Sequence, residues 1–258
     1  MSGRLRIATY NVNGVNGRLP RLLEWLNETA PDVACLQELK TDDTKFPVAA
    51  VRSAGYEALW HGQRSYHGVA ILAKGERPAE VRRGLSDEPD DLHARYLEAD
   101  VKGLAVASIY LPNGNPVPSP NYDYKLRWFD RLIRHSARLA KKPAVLAGDL
   151  NVVPTDFDVY NPSYWRFDAV MQPAVREAYR RLLAQGWTDT ARLLHPDKRI
   201  YTYWNDERAF RGNKGWRLDF LLVSRPLIER VLAFGVDTEY RGRIKPSDHT
   251  PAWIELAA

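Results

Sequence analysis

An α/β protein of two stacked sheets, mixed or antiparallel, with helices on the outside is the fold that this 258-residue sequence predicts. Three observations carry it. Short apolar runs recur at residues 5–10, 33–36, 69–73, 96–101, 105–110, 144–147, 218–223 and 252–256. Several are continuously hydrophobic, as strands buried on both faces are. Amphipathic segments with helical spacing lie between them, at 19–28, 124–139 and 173–185. Finally, runs 96–101 and 105–110 are separated only by Lys102, Gly103 and Leu104, a hairpin spacing that requires antiparallel pairing and argues against a simple doubly wound parallel sheet.

Taken in order, the chain reads strand, helix, strand and then a succession of strands, with the second long helix following a Pro-rich segment at 112–120 that is read as a stiff surface loop. No Gly/Ser-rich linker, repeat or low-complexity tract divides the chain, so residues 1–258 are expected to form one domain. An apolar content of 45% with 27% charged residues is ordinary for a globular protein. No run approaches the roughly 18 apolar residues of a membrane helix. Residues 1–12 lack the apolar core and small-residue cleavage site of a signal peptide, so cytoplasmic residence is the expectation, nucleoid-associated if the source is bacterial. Cys35, the single cysteine, sits in an apolar run and reads as a core residue. The net charge of +5 favours polyanionic partners through counterion release.

Four segments far apart in sequence end apolar runs with polar or charged groups: Cys35-Leu36-Gln37-Glu38, Gly148-Asp149-Leu150-Asn151, Arg217-Leu218-Asp219-Phe220 and Ser247-Asp248-His249-Thr250. One phosphodiester-cleaving site explains all four. Such a reaction needs a cation to offset phosphate charge, an activated water, and donors aimed at the oxygens that gain charge. Glu38 is placed to hold a hard divalent ion, its alternative being a surface glutamate. Asp149 and Asn151, two apart on an extended chain, share a face; the first would orient or deprotonate water and the second would donate to a phosphoryl oxygen, the alternative being a polar turn. Asn11 can bond Glu38 or a metal-bound water, or simply serve a turn. Asp219 interrupts an apolar run and needs a partner to offset its desolvation, for which His249 is the natural candidate. With its tautomer fixed, His249 becomes a charged donor to the phosphate, beside Asp248. Tyr110 can place its phenol on another phosphate oxygen or belong to the core. The stretch containing Tyr201, Tyr203, Trp204, Arg208, Arg211, Lys214, Trp216 and Arg217 interleaves aromatic and basic side chains as a nucleic-acid-contacting loop does, although Trp216 reads as packing.

Seven ordered motifs, Thr9-Tyr10-Asn11-Val12-Asn13-Gly14, Leu36-Gln37-Glu38, His67-Gly68-Val69-Ala70, Tyr110-Leu111-Pro112-Asn113-Gly114, Gly148-Asp149-Leu150-Asn151, Trp216-Arg217-Leu218-Asp219 and Ser247-Asp248-His249, resemble the exonuclease III family of abasic-site endonucleases over nearly the whole chain. The resemblance implies the four-layered α/β sandwich of the DNase-I-like superfamily, two mixed sheets face to face with helices outside. It implies Mg2+-dependent incision of duplex DNA 5′ to abasic sites, with 3′-phosphatase or phosphodiesterase trimming and 3′-to-5′ exonuclease action, Mn2+ being able to substitute. By the same resemblance Asn11, Glu38, Asp149, Asn151, Asp248 and His249 belong to the metal site. Tyr110, Asp149, Asn151, Asp219, Asp248 and His249 carry catalysis. Asn113, Lys125, Tyr203, Trp204, Arg208, Arg211, Lys214 and His249 are expected to contact DNA bearing abasic sites or blocked 3′ ends, although the 208–215 loop varies within the family and no DNA-intercalating residue is carried over there, and a monomer is the default expectation. Two other readings are a superfamily phosphoesterase acting on a soluble or lipid phosphoester, and a catalytically dead nucleic-acid-binding regulator. The basic charge and aromatic loop argue against the first, and the intact acidic and histidine positions argue against the second.

Overall fold

The structure, a computed structural model, describes residues 3–85, 88 and 90–257. Its strands in chain order are β1 (Arg4–Asn11), β2 (Val33–Gln37), β3 (Tyr56–His61), β4 (Val69–Lys74), β5 (Ala79–Arg83), β6 (Tyr96–Val101), β7 (Leu104–Tyr110), β8 (Ala144–Asp149), β9 (Trp187–Asp189), β10 (Asp219–Ser224), β11 (Val231–Val236) and β12 (Ala252–Ala257). They form two six-stranded sheets, ordered β11-β12-β1-β2-β4-β3 and β5-β6-β7-β8-β10-β9. Among the described residues only β1 with β2 and β7 with β8 run parallel. The expected hairpin is present, β6 pairing antiparallel with β7 from Tyr96 opposite Ile109 to Val101 opposite Leu104.

The sheets stack through a shared apolar core that includes Ile7, Cys35 and Ile71 from one and Val106, Val145 and Leu221 from the other. Cys35 is fully buried there, as its sequence context indicates. Helix Leu19–Thr29 covers the outer face of the first sheet by burying Leu22, Trp25 and Leu26. Helices Pro120–Ser136 and Pro173–Ala184 cover the second. The result is the four-layered α/β sandwich, and no helix among the described residues is long and apolar enough to cross a membrane.

Helix Pro120–Ser136 begins inside the segment read as loop and four residues before the expected start at 124. The physical reason is its cap: Ser119 accepts a hydrogen bond from the Tyr122 amide at 3.2 Å, and Pro120 at the first helical position gives up no amide that the helix would use. Replacing Ser119 with alanine removes that acceptor, and we expect a loss of about 1 kcal/mol in a urea unfolding experiment with no change in the fold.

Both parallel pairs are right for a crossover: each is joined by one of the long helices, and each therefore ends at the same edge of its sheet. Asn11, Gln37, Tyr110 and Asp149 are terminal residues of these strands. Antiparallel β10 begins opposite Asp149 with Asp219, and β12 begins opposite Thr9 with Ala252, just after His249. All the strand ends that carry the sequence candidates thus meet along one rim. A buried polar bridge ties the two sheets beneath it: Thr9 Oγ1 donates to Gln37 Oε1 at 3.1 Å, and Gln37 Nε2 reaches Ser108 Oγ of the opposite sheet at 3.1 Å.

Candidate active site

The backbone at this rim leaves the extended region as each strand ends. Asn13, Glu38, Lys40 and Asn151 all have positive φ, between 43° and 53°, a conformation that L residues other than Asn seldom adopt. These turns follow the ends of β1, β2 and β8 directly. Gly148 is fixed by space: a Cβ there would stand 1.9 Å from the Ile109 carbonyl oxygen of the adjoining strand. Only glycine lets β8 lie close enough to β7 to set Tyr110 opposite Asp149.

Asn11, Glu38 and Asp149 converge. The Asn11 Nδ2 donates to Glu38 Oε1 at 2.8 Å and to Asp149 Oδ2 at 3.0 Å, while its Oδ1 accepts the Asn13 amide at 3.0 Å. Asp149 Oδ1 takes the Asn151 amide at 2.9 Å. The other Glu38 oxygen meets Lys40 Nζ at 2.9 Å. Burial, with the charges of Glu38 and Asp149, pushes the Tyr110 phenol well above its ordinary pKa, so it remains a neutral donor.

Opposite them, His249 Nδ1 lies 2.7 Å from Asp219 Oδ2, and its Nε2 is 3.7 Å from Asp149 Oδ2. Both Asp219 and His249 are buried, which is the offsetting pair that the interrupted apolar run requires. Burial works against the imidazolium, but the Asp219 carboxylate, aided by Asp149 and Asp248, outweighs it and raises the His249 pKa. Asp149 shifts upward as well: burial is the main cause, Asp219 and Glu38 add to it, and His249 and the Asn151 amide oppose it. At Asp248 burial also disfavours the charge. His249 and hydrogen bonds from Asn13 and Ser247 more than compensate and hold its carboxyl below the usual range.

Glu38, Tyr110, Asn113, Asp149, Asn151, Tyr203, Asp248 and His249 line a single cavity of about 300 Å³, with Asn11 and Asp219 bonded directly behind it. Glu38, Asp149 and His249 bring ligand atoms within 4.8 Å of one another. The two carboxylates suit a hard divalent cation, and an imidazolium held by Asp219 is better placed to donate than to ligate. Asn151 shows its backbone amide to Asp149, and its side chain spans Leu111 O at 2.9 Å and Asn113 Nδ2 at 3.3 Å.

Lys125 and Trp204 need correction. The Lys125 side chain is fully buried, and its ammonium donates to the carbonyls of Pro112, Asn113 and Asn151 at 2.9, 3.0 and 2.6 Å. Three donors meet three acceptors, so it fastens the site loops from below and presents nothing to a phosphate. Gly114 makes room for it, since a Cβ there would meet Lys125 Cδ at 2.5 Å. Trp204 is 1% exposed and packs edge-on against Tyr201 and Phe210, so no base can stack on it. Arg217 is likewise internal, bonded to Asp158 at 2.7 Å and Asp189 at 2.8 Å, and Tyr201 is buried. Trp216 is packing as expected, though it also shows an edge to the cavity. Arg208, Arg211 and Lys214 are exposed but do not line the cavity; Arg211 is ion-paired with Glu207.

Sequence reasoning passed over Asn13, Lys40 and Arg95. Asn13 links Asp248 at 2.9 Å to Lys40 at 2.6 Å, and the turn-forming Asn13-Gly14 dipeptide was the available signal. Buried Arg95 lies with its guanidinium 4.8 Å from the centre of the Tyr110 ring, a contact that nothing in local sequence announces.

With this geometry established, comparison with known proteins is specific. The endonuclease/exonuclease/phosphatase family model matches residues 8–249. Exodeoxyribonuclease III of Haemophilus influenzae is 32% identical, the match covering 98% of this chain and all of that protein, and the exodeoxyribonuclease of Bacillus subtilis is 30% identical over 98% of each. Among solved structures, an AP endonuclease from Archaeoglobus fulgidus superposes with a TM-score of 0.94 at 36% identity, covering 98% of this chain and 100% of its own. A 3′ phosphatase from Neisseria bound to a product DNA hairpin gives 0.94 at 36% identity, covering 98% and 99%. The chain belongs to the endonuclease/exonuclease/phosphatase family and, within it, to the exonuclease III nucleases.

Proposed function

We propose that this protein is a Mg2+-dependent DNA-repair phosphodiesterase that incises duplex DNA 5′ to abasic sites and trims blocked 3′ ends, with 3′-to-5′ exonuclease action at the same site, working as a monomer. The observation that carries this reading is the pairing of Asp149, braced by Asn11 and Glu38, with the His249–Asp219 dyad across one cavity. A bound Mg2+, or Mn2+ in its place, held by Glu38 and Asp149 would offset charge on the phosphate.

The protein's own groups do the rest. Asp149, whose carboxyl burial makes more basic, directs a water in line with the phosphorus and takes its proton. The new oxygen–phosphorus bond forms as the P–O3′ bond breaks, and the departing 3′ oxygen takes a proton from solvent water to leave as a 3′-hydroxyl. His249 in its cationic form donates to a non-bridging phosphoryl oxygen, and neutral Tyr110 and Asn151 donate to others. Asp219 keeps His249 charged and oriented, and Asp248 with Asn13 fixes the segment that carries the imidazole. Tyr203, half-buried with its ring 4.9 Å from His249, forms a wall of the lesion pocket.

The test is a substrate panel under one set of conditions: a duplex with a single abasic analogue, an intact duplex, a duplex ending in a 3′-phosphate, and a soluble inositol phosphate. Turnover of the damaged or blocked duplexes supports the reading; turnover of the inositol phosphate alone would sink it in favour of a non-DNA phosphoesterase. Two further outcomes are expected. Glu38→Ala should raise the Mg2+ concentration for half-maximal cleavage by at least the roughly tenfold that losing even an outer partner of a metal ligand costs, and an unchanged Mg2+ response would remove Glu38 from the metal site. Raising salt should weaken DNA binding with a log–log slope of about −0.9 per phosphate neutralised, so a flat response in a fluorescence binding assay would point away from DNA.

A further inference from the structure

An aromatic segment beside the site has no task in the chemistry above. Tyr164 and Phe167 are 71% and 73% exposed, an expensive display of apolar surface for an isolated loop. The short helix Pro162–Trp165 presents the first of them, and Asn161 caps it by accepting the Tyr164 amide at 3.2 Å. Exposed Arg166 lies over the Phe167 ring, with its guanidinium 4.4 Å from the ring centre.

This surface is continuous with the catalytic cavity. Rings contact one another from His249 to Tyr203 (4.9 Å), Tyr203 to Trp216 (5.8 Å), Trp216 to Trp165 (4.6 Å) and Trp165 to Tyr164 (4.8 Å). Tyr203, Trp216 and Trp165 line the cavity, and Tyr164 stands outside it at the end of the series. Four ring-to-ring steps of 4.6 to 5.8 Å place Tyr164 within about six stacked nucleotides of His249, at about 3.4 Å per nucleotide. Edge contact with Trp165 holds the Tyr164 ring, so little of its side-chain freedom would be lost on binding, and Arg166 lies against Phe167. A cation beside an exposed ring is the combination that binds unpaired nucleotides without sequence preference.

We propose that Tyr164 and Phe167, with Arg166, form a stacking platform for unpaired bases of the substrate strand, so that frayed or mismatched ends are taken in preference to fully paired ones. The proposal rests on the DNA reading above. It assigns the platform to binding, not to bond cleavage.

The test compares wild type with a Tyr164→Ala/Phe167→Ala variant and with Tyr164→Phe, on two duplexes of identical length. One has a fully paired 3′ end; the other has three unpaired 3′-terminal nucleotides carrying 2-aminopurine. The platform predicts that the double variant raises KM for the unpaired end by roughly tenfold, leaves kcat and the KM for the paired end within about twofold, and abolishes the 2-aminopurine quenching seen on binding in EDTA. Tyr164→Phe, which keeps the ring, should behave as wild type. Equal losses on both duplexes, unchanged quenching, or a change in oligomeric state in place of a substrate effect would overturn the proposal. Quenching in EDTA requires no cleavage, so failure of the nuclease reading and failure of the platform are read separately.

Discussion

Asp149→Asn lowers the cleavage rate by on the order of 10²- to 10⁴-fold while leaving DNA binding within a few-fold of wild type, because an amide keeps the shape of the carboxylate and cannot accept the water's proton. The substitution also separates activity from stability in a direction the structure fixes. Burial raises the Asp149 pKa, so the ionised carboxylate is disfavoured in the folded state relative to the unfolded chain, and this destabilisation builds as pH rises from the unfolded value of 3.8 to the folded value of about 7 and is complete above it. Asparagine removes that charge. The variant should therefore unfold in urea at the same denaturant concentration as wild type or a higher one. A second consequence follows at His249, whose raised pKa draws partly on Asp149: its imidazolium should titrate at lower pH in the variant, readable by NMR of the ring. A variant that loses activity only because it loses stability would contradict the assignment.

Lys125→Met is the substitution with the largest expected effect on stability. Methionine fills most of the volume but leaves the carbonyls of Pro112, Asn113 and Asn151 without a donor in a buried setting. Each unsatisfied carbonyl costs about 1–3 kcal/mol, and because the three share one site and relax together we expect about 3–5 kcal/mol in total. Activity should fall as well, since Asn151 is held partly through its carbonyl. Chemical denaturation of the purified variant checks the first expectation. A loss below about 1 kcal/mol would show that water enters and replaces the ammonium.

Much of the architecture was legible because its signals are local. Strand β6 ends where its apolar run ends, and Lys102-Gly103 turns the chain between it and β7. Strands β2 and β8 run one and two residues past their apolar runs, into Gln37 and into Gly148 and Asp149, because backbone pairing continues where hydrophobicity stops. Edge and short strands were invisible for the opposite reason. Strand β5 is exposed at every position, so no burial pattern marks it, and β9 is three residues long.

The site divides in the same way. Asp219 advertised its need for a partner by sitting in an apolar run, and His249 supplies it. Lys125, Trp204 and Arg217 were misplaced because a polar or aromatic side chain carries no local mark of burial when its partners come from distant segments: three carbonyls for Lys125, Tyr201 and Phe210 for Trp204, Asp158 and Asp189 for Arg217. Asn13 and Lys40 were missed because their roles come from positive-φ turns that bring them to Asp248 and Glu38, a geometry set by tertiary packing.

On the proposed function, six strand ends, those of β1, β2, β7, β8, β10 and β12, assemble one metal-assisted phosphodiesterase site around Asp149 and His249. The most direct test is gel-resolved cleavage of an end-labelled duplex carrying one abasic analogue, in Mg2+ and in EDTA, by wild type and by Asp149→Asn. A single incision 5′ to the lesion that requires Mg2+ and is nearly lost in the variant is the expected result. Binding of the duplex without cleavage by wild type, or incision that survives both EDTA and the substitution, would contradict it.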